Sequence, residues 1–279
     1  MQQLQPYSGK LQQFYRQPKV YLSLPSKGKW FPPNGIEGDP DNLPVFGMTA
    51  MDEIMVKTPD ALFSGESTVS VIKSCIPNIK DPWNLSQIDI DSVLIAIRIA
   101  TYGDKLDLSV TCNECKEEFS LQCDLTPLLS HFATLEFDET VDIEPLTFIL
   151  RPFTYKEGSN MAIEAYKIQK MLLDAAKNIE ERESKSLDGF YKQLAKLTGD
   201  SMKKQIVGIS IDEEVITNQQ EISDFLNNSE QNFFKGVKAH LDSMKERWTL
   251  PKQQVTCPEC GSNQQVLIDL DNSNFFAQG

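Results

Sequence analysis

Two hydrophobic periods run along the 279-residue chain, and the switches between them predict its elements. Alternation over residues 20–24 reads as a strand, and Pro25-Ser-Lys-Gly28 as a turn. Lys29-Trp-Phe31 is expected to pair back before Pro32-Pro33 ends the segment, and residues 35–44 read as a loop. Thr49 caps a short helix over 49–57, with Asp52 and Glu53 in the acidic first turn that helices favour. A second short helix over 67–75 is closed by Pro77. Residues 88–100 are apolar on nearly every side, which predicts a helix at the centre of the core, ended by Gly103.

Beyond Gly103, Leu106, Leu108 and Val110 alternate, and the strand over 119–123 returns across Cys112-Asn-Glu-Cys115. Another strand is expected at 148–151. From Tyr155 to about residue 179 the period becomes helical, with Met161, Ala165, Ile168, Leu172, Ala175 and Ile179 at three- and four-residue steps. The charge-dense residues 180–188 read as a connection, and a shorter helix follows over 190–197. A small hairpin is predicted over 206–217, then a helix over 219–227. After Ser229, Phe233, Val237, Leu241, Met244 and Trp248 form one helical stripe that stops before Pro251. A second Cys-bearing hairpin pairs 253–256 with 265–270 across Cys257-Pro-Glu-Cys-Gly261.

These elements define an α+β chain: a zinc-ribbon-like pair of Cys-bearing β-hairpins closes over a largely helical insertion, with an N-terminal β/α segment. Four parts follow: a Gln-rich extended arm (1–18), a β/α core with the first knuckle (19–125), a mainly helical insertion (126–252), and the second knuckle with the tail (253–279).

Charge narrows the function. With 40 acidic against 27 basic residues the net charge is −13, which opposes general binding to nucleic acid or anionic membrane because counterion release needs clustered Lys and Arg. No apolar run approaches the roughly 20 residues of a membrane span. The start of the chain shows neither the basic nor the apolar part of a secretion signal, so synthesis in the cytosol is expected.

Six cysteines in a reducing compartment, four of them in C-x-x-C pairs, point to metal before disulfides. Each pair, at a hairpin tip, aims two thiolates at one point, so Cys112, Cys115, Cys257 and Cys260 are expected to share one structural zinc ion. Gly261 accepts the left-handed backbone of such a knuckle, whereas Lys116 departs from that form. Closing the loop of roughly 140 residues between the pairs costs on the order of 4–5 kcal/mol. Structural zinc supplies about 10–16 kcal/mol in small peptides. A redox C-x-x-C would precede a helix, and both pairs lie between strands. Cys75 and Cys123 read as core residues.

Signals for catalysis are weak. His131 and His240 stand in no nucleophile motif, no phosphate-binding glycine loop is present, and four cysteines leave a zinc ion no open position. Trp30, Phe31, Trp83, Phe275 and Phe276 lie in loops or near an end; they either fold onto the core or anchor partner subunits, as Phe14 and Tyr15 of the arm also could.

Several segments together resemble a family of T4-like bacteriophage baseplate proteins, the hub subunits and hub-assembly proteins of contractile tails. They are Leu24-Pro-Ser-Lys-Gly-Lys-Trp-Phe31, Met48-Thr-Ala50, Val71-Ile-Lys-Ser-Cys-Ile76, Leu94-Ile-Ala-Ile-Arg-Ile-Ala-Thr-Tyr-Gly-Asp104 and Val110-Thr-Cys-Asn-Glu-Cys115, with the second knuckle and the terminal Phe-Phe. The resemblance implies a non-enzymatic virion component of the tail baseplate, assembled in the host cytoplasm, with other tail proteins as partners. The alternative within the family is an assembly factor that is not retained in the particle. The alternative from the knuckles alone is a zinc-ribbon nucleic-acid adaptor, which the acidity opposes.

Overall fold

The structure is a computed structural model, and it describes residues 10–56, 65–177, 185–212 and 214–266. Phe275, Phe276 and residues 267–270 of the expected last strand lie outside these.

β1 (Pro18–Leu22) pairs antiparallel with β2 (Leu43–Phe46), in register from Val20↔Val45 to Leu22↔Leu43, with a register shift between Val20 and the Pro18↔Phe46 pair. The partner of the first strand is therefore the end of the expected loop, not residues 29–31. Lys27 and Gly28 both have positive φ, so the chain turns tightly at 26–29 and leaves the sheet. Leu43 and Val45 are fully buried, but four residues among Asp and Pro carry too little pattern to be read as a strand. From the arm, the Arg16 guanidinium donates to the carbonyls of Gly47 and Ser74, each at 2.8 Å, which fixes residues 10–17 against this end of the fold.

α1 (Ala50–Val56) opens with a reciprocal cap: Thr49 N–H donates to Asp52 Oδ2 at 2.7 Å, and Asp52 N–H to Thr49 Oγ1 at 3.2 Å. α2 (Glu66–Cys75) and α3 (Ile90–Tyr102) follow. α3 is buried almost all round, on Ile90, Val93, Leu94, Ile95, Ala96, Ile97 and Ala100, and packs against β1, β2 and α2 as the first core. Gly103 ends it at φ 96°, its N–H bonded to the Ile99 carbonyl.

β3 (Lys105–Thr111) and β4 (Glu118–Asp124) pair from Lys105↔Asp124 to Thr111↔Glu118, and α4 (Thr126–Thr134) packs back on α3. β5 (Thr140–Ile143) and β6 (Leu146–Leu150) then begin a second core. Between β6 and its next neighbour stands a helical hairpin, α5 (Tyr155–Lys177) and α6 (Lys185–Gln205). Thr154 and Glu157 form the box that starts α5, and Trp83 stacks on Tyr155 with centroids 5.5 Å apart at its base. α6 is longer than the predicted 190–197. Thr198-Gly199-Asp200 resembles a stop, yet the helix runs through it, with Thr198 Oγ1 bonded to the Leu194 carbonyl.

β7 (Ile206–Ile211) and β8 (Glu214–Ile216) complete the four-stranded antiparallel order β5-β6-β7-β8. The stretch expected to be mainly helical thus also contains a sheet, and the predicted 206–217 hairpin is half of it. α7 (Gln219–Asn228) and α8 (Gln231–Arg247) cover this sheet. Phe148 is fully buried between Phe225 and Phe233.

α8 ties the cores together. Val237 belongs to the sheet's core, whereas Trp248 and Leu250, just past its end, belong to the first, with Trp248 stacked on Phe132. Phe137 packs on both cores, edge-on to Trp30 at 5.5 Å. Beside it Arg247 pairs with Asp138 at 2.6 Å and Lys29 pairs with Glu139. β9 (Gln253–Thr256) and β10 (Asn263–Val266) form the last hairpin.

One buried charge fixes the turn after β1. Asp89 has no exposed surface, and its carboxylate accepts from Ser26 N–H at 2.8 Å and Ser26 Oγ–H at 2.6 Å. Burial outweighs these bonds and pushes its pKa up to about 6, and burial raises Asp91 likewise. The native carboxyl therefore binds its proton more tightly than the unfolded one. Its contribution to stability is greatest below about pH 4 and declines as pH rises to about 6. Asp89→Asn should reduce that decline. Asp89→Ala, which strands the Ser26 donors, should cost about 2–3 kcal/mol at neutral pH. Denaturant titrations across pH 4–7 measure both.

Candidate metal centre

The two Cys-bearing turns have the same backbone. After the last ladder pair of each hairpin, Thr111↔Glu118 and Thr256↔Asn263, six residues close the turn. Cys112 N–H donates to the Glu117 carbonyl at 2.9 Å and Lys116 N–H to the Cys112 carbonyl at 3.1 Å. In the second turn Cys257 N–H donates to the Ser262 carbonyl and Gly261 N–H to the Cys257 carbonyl, both at 2.9 Å. Lys116 adopts φ 65° and Gly261 φ 72°. The departure at Lys116 therefore leaves the turn geometry unchanged. Its left-handed backbone carries the cost that a β-carbon imposes there.

The sulfur atoms of Cys112, Cys115, Cys257 and Cys260 all lie within 4.8 Å of one another. Cys112 and Cys257 are buried, whereas Cys115 and Cys260 are exposed. Contacts cross between hairpins, Cys112 to Cys260 at 3.6 Å and Cys115 to Cys257 at 3.7 Å. A disulfide needs about 2.05 Å, so these are separate thiols. Four sulfurs about 2.3 Å from one tetrahedral ion would be roughly 3.8 Å apart, close to the two cross-hairpin distances. The donor set fits a soft or borderline cation, and four thiolates leave it no place for a substrate.

The electrostatics favour a cation as well. The Ser262 hydroxyl, 3.4 Å from Cys112 Sγ, with nearby backbone amides pulls that thiol down to about 6, and Ser262 also lowers Cys260. The Glu117 amide favours the Cys115 thiolate, but lost hydration and the neighbouring thiols push Cys115 up to about 12. A cation beside Cys115 would offset the opposition of its neighbouring thiols. Cys75, fully buried, is raised to about 12 by burial, and burial also raises Cys123, as suits core thiols.

A second kind of link joins the hairpins. Gln264 Oε1 accepts from Asn113 N–H at 2.8 Å, and Gln264 Nε2 donates to the Thr111 carbonyl at 3.1 Å. Sequence reasoning missed both Ser262 and Gln264. Their signal was only their place just after Cys260, since the direction of a polar side chain is set by the other hairpin. The histidines stand elsewhere: His240 Nε2 contacts the Asp138 carbonyl at 3.0 Å, and the His131 ring lies beside Phe132. Trp30, Phe31 and Trp83 each pack within the chain, on Phe137, the first core and Tyr155.

Fold and site define a mixed helix-and-sheet protein with a four-thiol cluster able to hold a metal ion at the tips of two hairpins. The family model described as "T4 bacteriophage base plate protein" matches residues 48–277, a span that includes both C-x-x-C turns, and the chain belongs to that family. No curated protein and no solved structure matches it. Membership makes it a phage baseplate protein, whose partners are other tail proteins. Among the described residues no helix is long and apolar enough to cross a membrane.

The shared turn geometry yields a local test. Lys116→Gly should stabilise the first hairpin by about 0.5–1 kcal/mol, and Gly261→Ala should destabilise the second by about 1 kcal/mol. Native-state hydrogen exchange of the hairpin amides reads both changes.

Proposed function

We propose that this chain is a non-enzymatic structural component of the hub region of a contractile tail baseplate, with one zinc ion on Cys112, Cys115, Cys257 and Cys260. The observation that carries the reading is the family match over residues 48–277 on a chain whose two knuckles converge four sulfurs. When bound, zinc supplies a redox-inert tetrahedral cross-link. The protein's part is to hold the thiolates: each turn presents two sulfurs, backbone amides and Ser262 favour the charged form of Cys112 and Cys260, and the ladders of β3–β4 and β9–β10 frame the turns.

The cross-link acts locally. None of the four cysteines belongs to either hydrophobic core, so the ion orders the hairpin pair and not the folded body. Leu250, just before β9, and Leu106, at the base of β3, both belong to the first core, so the chain has returned to the body that carries the first hairpin when β9 begins. Most of the entropy of bringing the distant pairs together is thus met by core packing.

Contact with other tail proteins runs through the arm and the chain's exposed apolar side chains. Leu11 is 69% and Phe14 77% exposed on a segment that Arg16 anchors, which leaves both positioned to enter a neighbouring surface. Glu114, Glu117, Glu118 and Glu259, in or beside the two turns, are exposed and oppose a phosphate backbone, against the nucleic-acid adaptor reading.

Quantitative mass spectrometry of purified tails tests the assignment. A fixed number of copies per baseplate is expected. Presence in infected cells with absence from finished tails would overturn it in favour of an assembly factor.

A further inference from the structure

Among the hydrogen bonds and sulfur contacts of the described residues, the links between the two Cys-bearing hairpins fall into two groups. One consists of the thiols and Ser262; the other is the carboxamide of Gln264. Gln264 lies on β10, four residues past Cys260, paired with Val255. Its side chain reaches the opposite hairpin and meets the Thr111 carbonyl and the Asn113 N–H, the two main-chain groups that flank Cys112. A carbonyl and an amide two residues apart on one edge are what a neighbouring strand would pair with. The primary amide of Gln264 offers the matching acceptor and donor at one group.

We propose that Gln264 is a positioning residue for the metal seat: it clamps the first knuckle against the second on either side of Cys112, so that both thiol pairs converge before the ion arrives. This rests on the four-cysteine zinc reading. Both polar atoms of the amide are used, so neither half of the clamp is replaceable by a group with only one function. Glutamate keeps the acceptor for Asn113 but sets a carboxylate against the Thr111 carbonyl, close to a cluster that carries negative charge when its thiols ionise. Methionine keeps the length and loses both bonds.

The full chain is stripped of metal under reducing conditions, and zinc is titrated back in competition with a chromophoric chelator, for the wild type, Gln264→Met and Gln264→Glu. Zinc affinity is expected to fall about tenfold in Gln264→Met and further in Gln264→Glu, the size of effect seen for groups that orient ligands. The denaturant midpoint of the zinc-free cores should stay unchanged, because both hydrogen bonds of the Gln264 side chain lie within the hairpin pair. Exchange of the Asn113 amide in zinc-free protein should be faster in Gln264→Met than in the wild type. Variant affinities within twofold of a zinc-binding wild type overturn the clamp alone. A wild type that takes up no zinc overturns the metal reading and the clamp with it.

Discussion

The return of the chain to its first core is the constraint on which the rest of the structure depends. α8 packs on the sheet's core through Val237 and Leu241 and delivers Trp248 and Leu250 into the core built on α3. Burying side chains of that size stabilises by roughly 1.5–3 kcal/mol each, and it brings the last hairpin to the first. Without it the two knuckles would have to meet across the whole intervening chain. With it, the four sulfurs need only the short span from Leu250 to Cys257. The cluster is a consequence of the core packing more than its cause.

That order of dependence suits a component built to be joined to others. The two cores are bridged by Phe137, by Trp30 against it and by the pairs Lys29–Glu139 and Arg247–Asp138. Trp30 and Phe31 come from the segment Leu24-Pro-Ser-Lys-Gly-Lys-Trp-Phe31, so much of that segment serves the body itself. Asp89 holds its start through Ser26. Exposed apolar groups remain both on the anchored arm, at Leu11 and Phe14, and on the body, at Met51, Ile54, Met171 and Leu173 among others. A body bridged from within that keeps exposed apolar side chains is compatible with a baseplate role.

Features set by local pattern were legible in the sequence. The alternation of Leu106, Leu108 and Val110 marked β3, the all-round apolar run marked α3, and the two C-x-x-C turns marked the ends that converge. Features set by partners far along the chain were not legible. β2 is four residues whose pattern means something only once β1 lies beside it. β6 and β7 pair across the whole α5–α6 hairpin, so neither strand reveals its neighbour. At the site the thiols were named by spacing, but the left-handed Lys116 was not readable, because Lys has no preference for that backbone. Gln264 is one polar residue among several, and only the opposite hairpin distinguishes it.

One zinc ion held in common by Cys112, Cys115, Cys257 and Cys260, as proposed, is open to direct measurement. Metal analysis of the purified, reduced protein and of its Cys257→Ala variant tests it most directly. One zinc per chain in the wild type, lost in the variant while the helical content is kept, is the predicted result. Zinc retained at full stoichiometry by the variant, or none in the wild type, would contradict the shared site.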